Sequence, residues 1–237
     1  MIFRAFLTSL EQIWHPSFRR VFIMGVSITL VVFVVLFWAL LELWPEDVAL
    51  TGWWIIDAPL NWLLDFSVFP TVFAFLFLSW FLFPAVATLV LSFFLDQIVT
   101  AVEEEHYPDV EASGPTSLSR GTYLAARMGL VVLLVNFLAL PAYLLLLFTA
   151  VGPFILFFLL NSFLMGREYY ALVSERHFQP DDSKRPARAK PDQIFLGGGL
   201  VMALFLIPVL NLAAPILGAA TMTHIYHAAR EQQTESP

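Results

Sequence analysis

The chain has 237 residues, of which 59% are hydrophobic and only 13% charged, with a net charge of −7 and a mean hydropathy of +0.78. Soluble domains carry about 25% charged residues, so this composition excludes a water-facing globule and points to an integral membrane protein. The chain has no cysteine, which rules out disulfides and thiolate chemistry.

The first fifteen residues predict an amphipathic helix. Ile2, Phe3, Phe6, Leu7, Leu10, Ile13 and Trp14 recur at spacings of three and four, with Arg4, Thr8, Glu11 and Gln12 between them. Such a helix lies along the membrane interface. His15–Pro16–Ser17 ends it, and no cleavable signal peptide is expected here.

Four apolar stretches follow: Val21–Leu41, Phe66–Leu95, Met128–Met165 and Ile194–Thr223, each without a charged residue. A span needs about 20 residues. The first two predict long transmembrane helices over 18–44 and 66–105, the second running on past Asp96 and kinked at Pro84. Trp38, Trp44, Trp53, Trp54 and Trp62 form an aromatic belt at the boundary between them. Residues 103–119 read as an acidic solvated loop, 179–193 as a polar one, and 230–237 as a disordered tail.

The basic residues order these elements across the membrane. Arg4, Arg19 and Arg20 precede the first span; 42–65 has no basic residue; 96–127 has Arg120 and Arg127; 166–193 has Arg167, Arg176, Lys184, Arg185, Arg188 and Lys190; Arg230 stands in the tail. The positive-inside rule puts both termini and the basic segment on the cytoplasmic side. That requires the third stretch to enter and return.

The third stretch has 38 residues and the fourth 30, cramped for two crossings each. Pro141 and Gly152–Pro153 interrupt one; Pro208 and Pro215 around Asn211 interrupt the other. Both read as half-penetrating helical hairpins, over 122–177 and 192–229, with kinked single spans as the simpler alternative. The expected fold is one all-α membrane domain over 1–229: an N-terminal amphipathic helix, two transmembrane helices and two re-entrant hairpins.

No nucleotide loop, metal-ligand spacing or nucleophile–base pair stands out, so no enzyme, cofactor or metal is expected. Gly197–Gly198–Gly199 reads as close helix packing through small residues. His224 and His227 lie three apart, but two histidines without a third ligand make a weak zinc case. Ser17–Phe18–Arg19–Arg20 opens the first span. A helix N-terminus and two arginine forks suit an oxyanion or a lipid headgroup, although arginines there also serve as plain anchors. Arg167, Glu168 and Tyr169 follow the third stretch, where an interfacial anchor is the simpler reading. Asn136, Asn161 and Asn211 are the only amides within the last two stretches; amides in lipid seek partners, so they are expected to bond across hairpins, with Asn161 and Asn211 as pathway or interface residues.

Three blocks resemble the CysZ-like membrane proteins, which include bacterial sulfate permeases and a eukaryotic etoposide-induced branch. These are His15–Pro16–Ser17–Phe18–Arg19–Arg20; Val151–Gly152–Pro153–Phe154 through Asn161 to Gly166–Arg167–Glu168–Tyr169–Tyr170 and Arg176–His177; and Ile207–Pro208–Val209–Leu210–Asn211–Leu212–Ala213–Ala214–Pro215, followed by Gly218 and Thr223–His224. The resemblance implies two long membrane helices with two half-penetrating hairpins, homo-oligomers of two or more chains in the bacterial inner membrane, and sulfate uptake for cysteine synthesis. It also implies sulfate binding at a Gly-Leu-Arg type motif before the first span. Arg19 and Arg20 match its basic part, and Ser17–Phe18 stands where Gly-Leu is expected. A non-transporting structural or assembly protein of the same family is the alternative.

Overall fold

The computed structural model describes residues 1–42, 52–110, 118–177 and 189–234. Every described element is helical: α1 (Ile2–Glu11), a 3₁₀ turn (Gln12–Trp14), α2 (Pro16–Glu42), α3 (Trp54–Ser92), α4 (Leu95–His106), α5 (Leu118–Leu146), α6 (Gly152–Arg176), α7 (Pro191–Phe205) and α8 (Leu210–Thr234). Among the described residues, three helical segments are long and apolar enough to cross a membrane: Pro16–Glu42, Thr71–Ser92 and Ala126–Leu146. The acidic segment 43–51 and most of the basic one, including Lys184, Arg185 and Arg188, lie outside the described residues.

The chain divides into two compact units. One holds Ile23–Leu91 and pairs the body of α2 with α3. Phe33 meets Phe83 and Phe37 meets Phe75, at centroid distances of 5.9 and 5.3 Å. Higher numbers on α2 match lower numbers on α3, so the pair is antiparallel. A Cβ on Gly25 would meet the side chain of Leu91, so the glycine lets the two helices close. Trp38, Trp53, Trp54 and Trp62 are exposed, as belt residues are.

The expected span 66–105 is two helices rather than one. α3 begins at Trp54 and continues through Pro84; Phe93 and Phe94 form a turn, and α4 starts afresh at Leu95. Phe94 has φ −109° and ψ 0°, outside the helical well. α4 is amphipathic, burying Leu95, Ile98, Val99 and Val102.

The other unit holds Met1–Phe22 and 92–237. α1 lays Phe6 and Leu10, with Ile13 just beyond, against a core of Leu204, Ala214 and Leu217 on α7 and α8. Its opposite side leaves Phe3, Leu7 and Trp14 exposed. Thr221 donates to Ser9 across this contact (3.2 Å).

The third and fourth apolar stretches each fold as helix–turn–helix, broken at 147–151 and 206–209. The first turn closes on itself: Thr149 Oγ1 donates to the Leu146 carbonyl (2.7 Å) and accepts from the Gly152 amide (3.0 Å). A Cβ on Gly152 would strike Thr149 and Leu146. The second turn puts Val209 at φ +72°, a left-handed conformation that a β-branched residue adopts only under constraint. Both turns are apolar and exposed: Leu147, Phe148 and Val151 in one, Leu206, Ile207 and Val209 in the other.

α6 and α7 approach backbone to backbone. A Cβ on Gly198 would meet the Ser162 carbonyl and the Gly166 backbone, and one on Gly166 would meet the Ile194 carbonyl. At the far end of this unit Gln193 and Gln232 both direct Nε2 at Met1 Sδ (3.8 and 3.4 Å). The N-terminus, the start of α7 and the end of α8 therefore meet at one place. Residues 230–234, expected in a disordered tail, continue α8; the segment Ala228–Gln233 is rich in good helix formers.

Candidate functional site

Ser17 and Arg20 stand on the first turns of α2 and share a pocket with Gln97, Thr100 and Glu104 of α4, with Val21 and Ala101 as its apolar floor. The pocket is about 220 Å³, room for a small tetrahedral oxyanion. Arg19 and Arg20 are exposed, whereas Phe18 is 1% exposed and packs edge-on to His15. The Phe18 side chain is thus core. The α2 N-terminus is partly satisfied within the chain, because the Ser17 amide donates to His15 Nδ1 (3.3 Å). Glu104 adds a carboxylate to the same lining as Arg20.

None of the remaining expected residues lines this pocket. Asn161 Nδ2 donates to the Phe157 carbonyl of its own helix (2.8 Å). Arg167 lies over the Phe163 ring, 5.6 Å from its centroid. Glu168 is exposed, and Tyr169 is buried beneath Gly218. Asn211 Oδ1 is buried without a hydrogen-bond partner.

Among the described residues, the buried titratable side chains Glu103, His224 and His227 lie elsewhere, where α4, the end of α6 and α8 converge. Glu103 is 4% exposed, which corrects the expectation that it opens a solvated loop. His177 and His227 direct Nε2–H at its Oε1 (2.7 and 3.2 Å). Arg176 Nη2 stands 3.8 Å from its Oε2. Burial would raise this carboxyl, but the hydrogen bonds from His177 and His227 and the nearby positive charge overcome it and hold it at about 2. A buried acid is tolerable only with such partners.

Arg176 gives its own hydrogen bonds to the Asp96 carbonyl (3.0 Å) and to Thr100 Oγ1 (2.8 Å). Tyr107 stacks on His227 at 4.1 Å, and Tyr226 stacks on His177 at 5.0 Å. Tyr107 O–H donates to His224 Nδ1 (2.9 Å), and His224 Nε2–H donates to Gln12 Oε1 (3.2 Å). Gln12 in turn reaches Glu105 and His106. Burial lowers His224 to about 4, with His106 and His227 adding to it; burial also lowers His227, against the pull of Glu103.

A family model described as sulfate transporter CysZ/etoposide-induced protein 2.4 matches residues 5–215, most of the chain. The chain belongs to this family. Among curated proteins none matches it. Membership in the CysZ/etoposide-induced family, together with the apolar helices, makes this a sulfate-transporter-like membrane protein. The CysZ-like residues quoted from the sequence fall at α2's first turn, along α6 and across the α7–α8 turn.

Glu103, Tyr107 and Gln12 were not singled out in the sequence. The available signal was a polar line on α4, with Asp96, Thr100 and Glu103 at spacings of four and three, beside the apolar stripe Leu95, Ile98, Val99 and Val102. A carboxylate on the stripe's edge needs cationic or imidazole partners, and Arg176–His177 and His224–His227 are the paired positions that supply them.

Proposed function

We propose that this protein is a sulfate permease of the bacterial inner membrane, with sulfate feeding cysteine synthesis. The observation that carries the reading is the Ser17–Arg20–Gln97–Thr100 pocket within a CysZ-family chain. Its hydroxyls, amide and guanidinium are donors matched to a tetrahedral oxyanion. Arg20 makes the capture contact, and Arg19, exposed one residue earlier, adds to the local positive field. Asn161, Arg167, Glu168, Tyr169 and Asn211 serve the pathway or the subunit interface, and the assembly is a homo-oligomer in lipid.

The two hairpins are half-penetrating in this reading. A turn that emerged into water would carry polar residues. These turns expose Phe148, Val151, Ile207 and Val209 instead, and Thr149 satisfies turn backbone groups as lipid requires. The meeting of Met1, Gln193 and Gln232 supports the start of α1, the start of α7 and the end of α8 sharing one face, cytoplasmic in this reading.

Radiolabelled sulfate flux into proteoliposomes tests the reading: uptake above that of protein-free liposomes is expected. Flux equal to the blank, with folded and inserted protein, removes the permease. Arg19→Ala with Arg20→Ala should weaken sulfate binding; unchanged binding removes the site. A second reading, a non-transporting assembly protein, is favoured by the Glu104 carboxylate in the pocket lining and by the Ser17 amide being taken by His15.

A further inference from the structure

We infer that Glu103, His177 and His227 form a binding site for a divalent transition-metal ion of the zinc class, clipping α4, α6 and α8 together. One donor comes from each helix, and the three ligand atoms lie within 4.8 Å of one another. Zinc–nitrogen and zinc–oxygen bonds are about 2.0–2.2 Å, so small side-chain rotations bring all three atoms onto one ion. The ring planes of the two histidines stand at 86°, which lets their nitrogens approach a common point from different directions.

An independent observation points the same way. Glu103 Oε2 is buried and has no hydrogen-bond partner. Its neighbour Arg176 spends its hydrogen bonds on Asp96 and Thr100, leaving only the 3.8 Å approach of Nη2 to that oxygen. A native protein seldom strands a buried carboxylate oxygen. An ion taken by the carboxylate would fill that vacancy in its coordination. The two imidazoles would bind the ion through Nε2, with a proton kept on Nδ1.

The walls favour the same use. Tyr107 and Tyr226 stack on the two ligand rings and fix their planes, as supporting shells do around metal sites. Two imidazoles and one carboxylate select zinc-like ions over magnesium or calcium, which take all-oxygen shells. His224 is excluded as a ligand because Tyr107 and Gln12 occupy its nitrogens. The site is separate from the Ser17 pocket and does not depend on the transport reading.

The test uses the full chain, purified in detergent, stripped by chelator and titrated with cobalt(II) at neutral pH. The expected result is a visible d–d absorption band that saturates at one ion per chain, is abolished by zinc, and is accompanied by a rise in Tm. His106→Ala should titrate as the wild type does, whereas His177→Gln and His227→Gln should weaken affinity by at least about tenfold. Should these variants fail to fold, X-ray absorption of zinc-loaded wild type decides: a shell of two imidazole nitrogens and one carboxylate supports the site. No cobalt band from folded wild type overturns it, as does a shell without imidazole or wild-type affinity in both histidine variants.

Discussion

The three consecutive glycines of α7 should respond differently to the same substitution. At Gly198 a new Cβ would fall within 3.0 Å of the Ser162 carbonyl oxygen and of Gly166 N and Cα. All are backbone atoms of α6, so no rotamer change relieves them and the helices must part. Overpacking of this kind costs about 1–3 kcal/mol, more than the roughly 1 kcal/mol that alanine gains over glycine in helix propensity. At Gly199 the nearest atoms are Ser162 Oγ at 3.6 Å and Cβ at 3.9 Å, ordinary contact, so only the propensity gain remains. Gly197 lies between, since it would meet the movable ends of Ile225 and Met222 at 2.8 Å. Gly198→Ala should therefore lower Tm by several degrees, at about 2–4 °C per kcal/mol for a chain of this size, while Gly199→Ala leaves it unchanged or raises it. Thermal unfolding of the detergent-solubilised variants, followed by far-UV circular dichroism, measures the order. Equal shifts at Gly198 and Gly199 would refute the backbone contact between α6 and α7.

Acid should weaken the fold through His224. Its pKa is lowered from 6.5 to about 4, so below 6.5 the unfolded chain takes up a proton that the folded chain refuses. Stability present above 6.5 is lost as pH falls through about 4, by up to about 3 kcal/mol, and His224→Gln should flatten Tm against pH in that window. Val209→Gly should raise Tm, because it removes a β-branched residue from φ +72°, a strain of about 1–3 kcal/mol; a lowered Tm would show that the turn depends on the valine side chain. Glu104→Gln should tighten sulfate binding in isothermal titration, because it removes a negative charge from the lining that Arg20 shares; weaker binding would indicate that the carboxylate orders the pocket.

Apolar run length and the helix breakers within the runs carried the helix positions, because both follow from the cost of polar groups in hydrocarbon. The turns near Gly152–Pro153 and Pro208, the α1 amphipathy and the glycine packing of α7 were all legible that way. The division at Phe93–Phe94 was not. An apolar run has no periodicity to lose where α3 gives way to α4, and the change shows only in what α4 packs against. The start of α3 at Trp54 was hidden for the opposite reason: Asp57 and Asn61 made the first turns read as loop, although they sit on a helix that continues into the apolar run.

The site was legible only in part, and the reason is distance along the chain. Ser17 and Arg20 are local to one helix, so their pairing can be read from spacing. The polar cluster joins Gln12, Glu103, His177 and His224, which no local pattern links. Each looked ordinary alone: a glutamine on an interfacial helix, a loop glutamate, histidines near a membrane boundary. What distinguishes them is that a chain with 13% charged residues withdraws a carboxylate and several imidazoles from water in one place. Burying a carboxylate is costly unless paired, and an all-apolar packing of α4, α6 and α8 would hold the helices together without that cost. The cluster therefore specifies something apolar residues cannot: a fixed register among three helices, and a set of donors that can accept a cation or a proton.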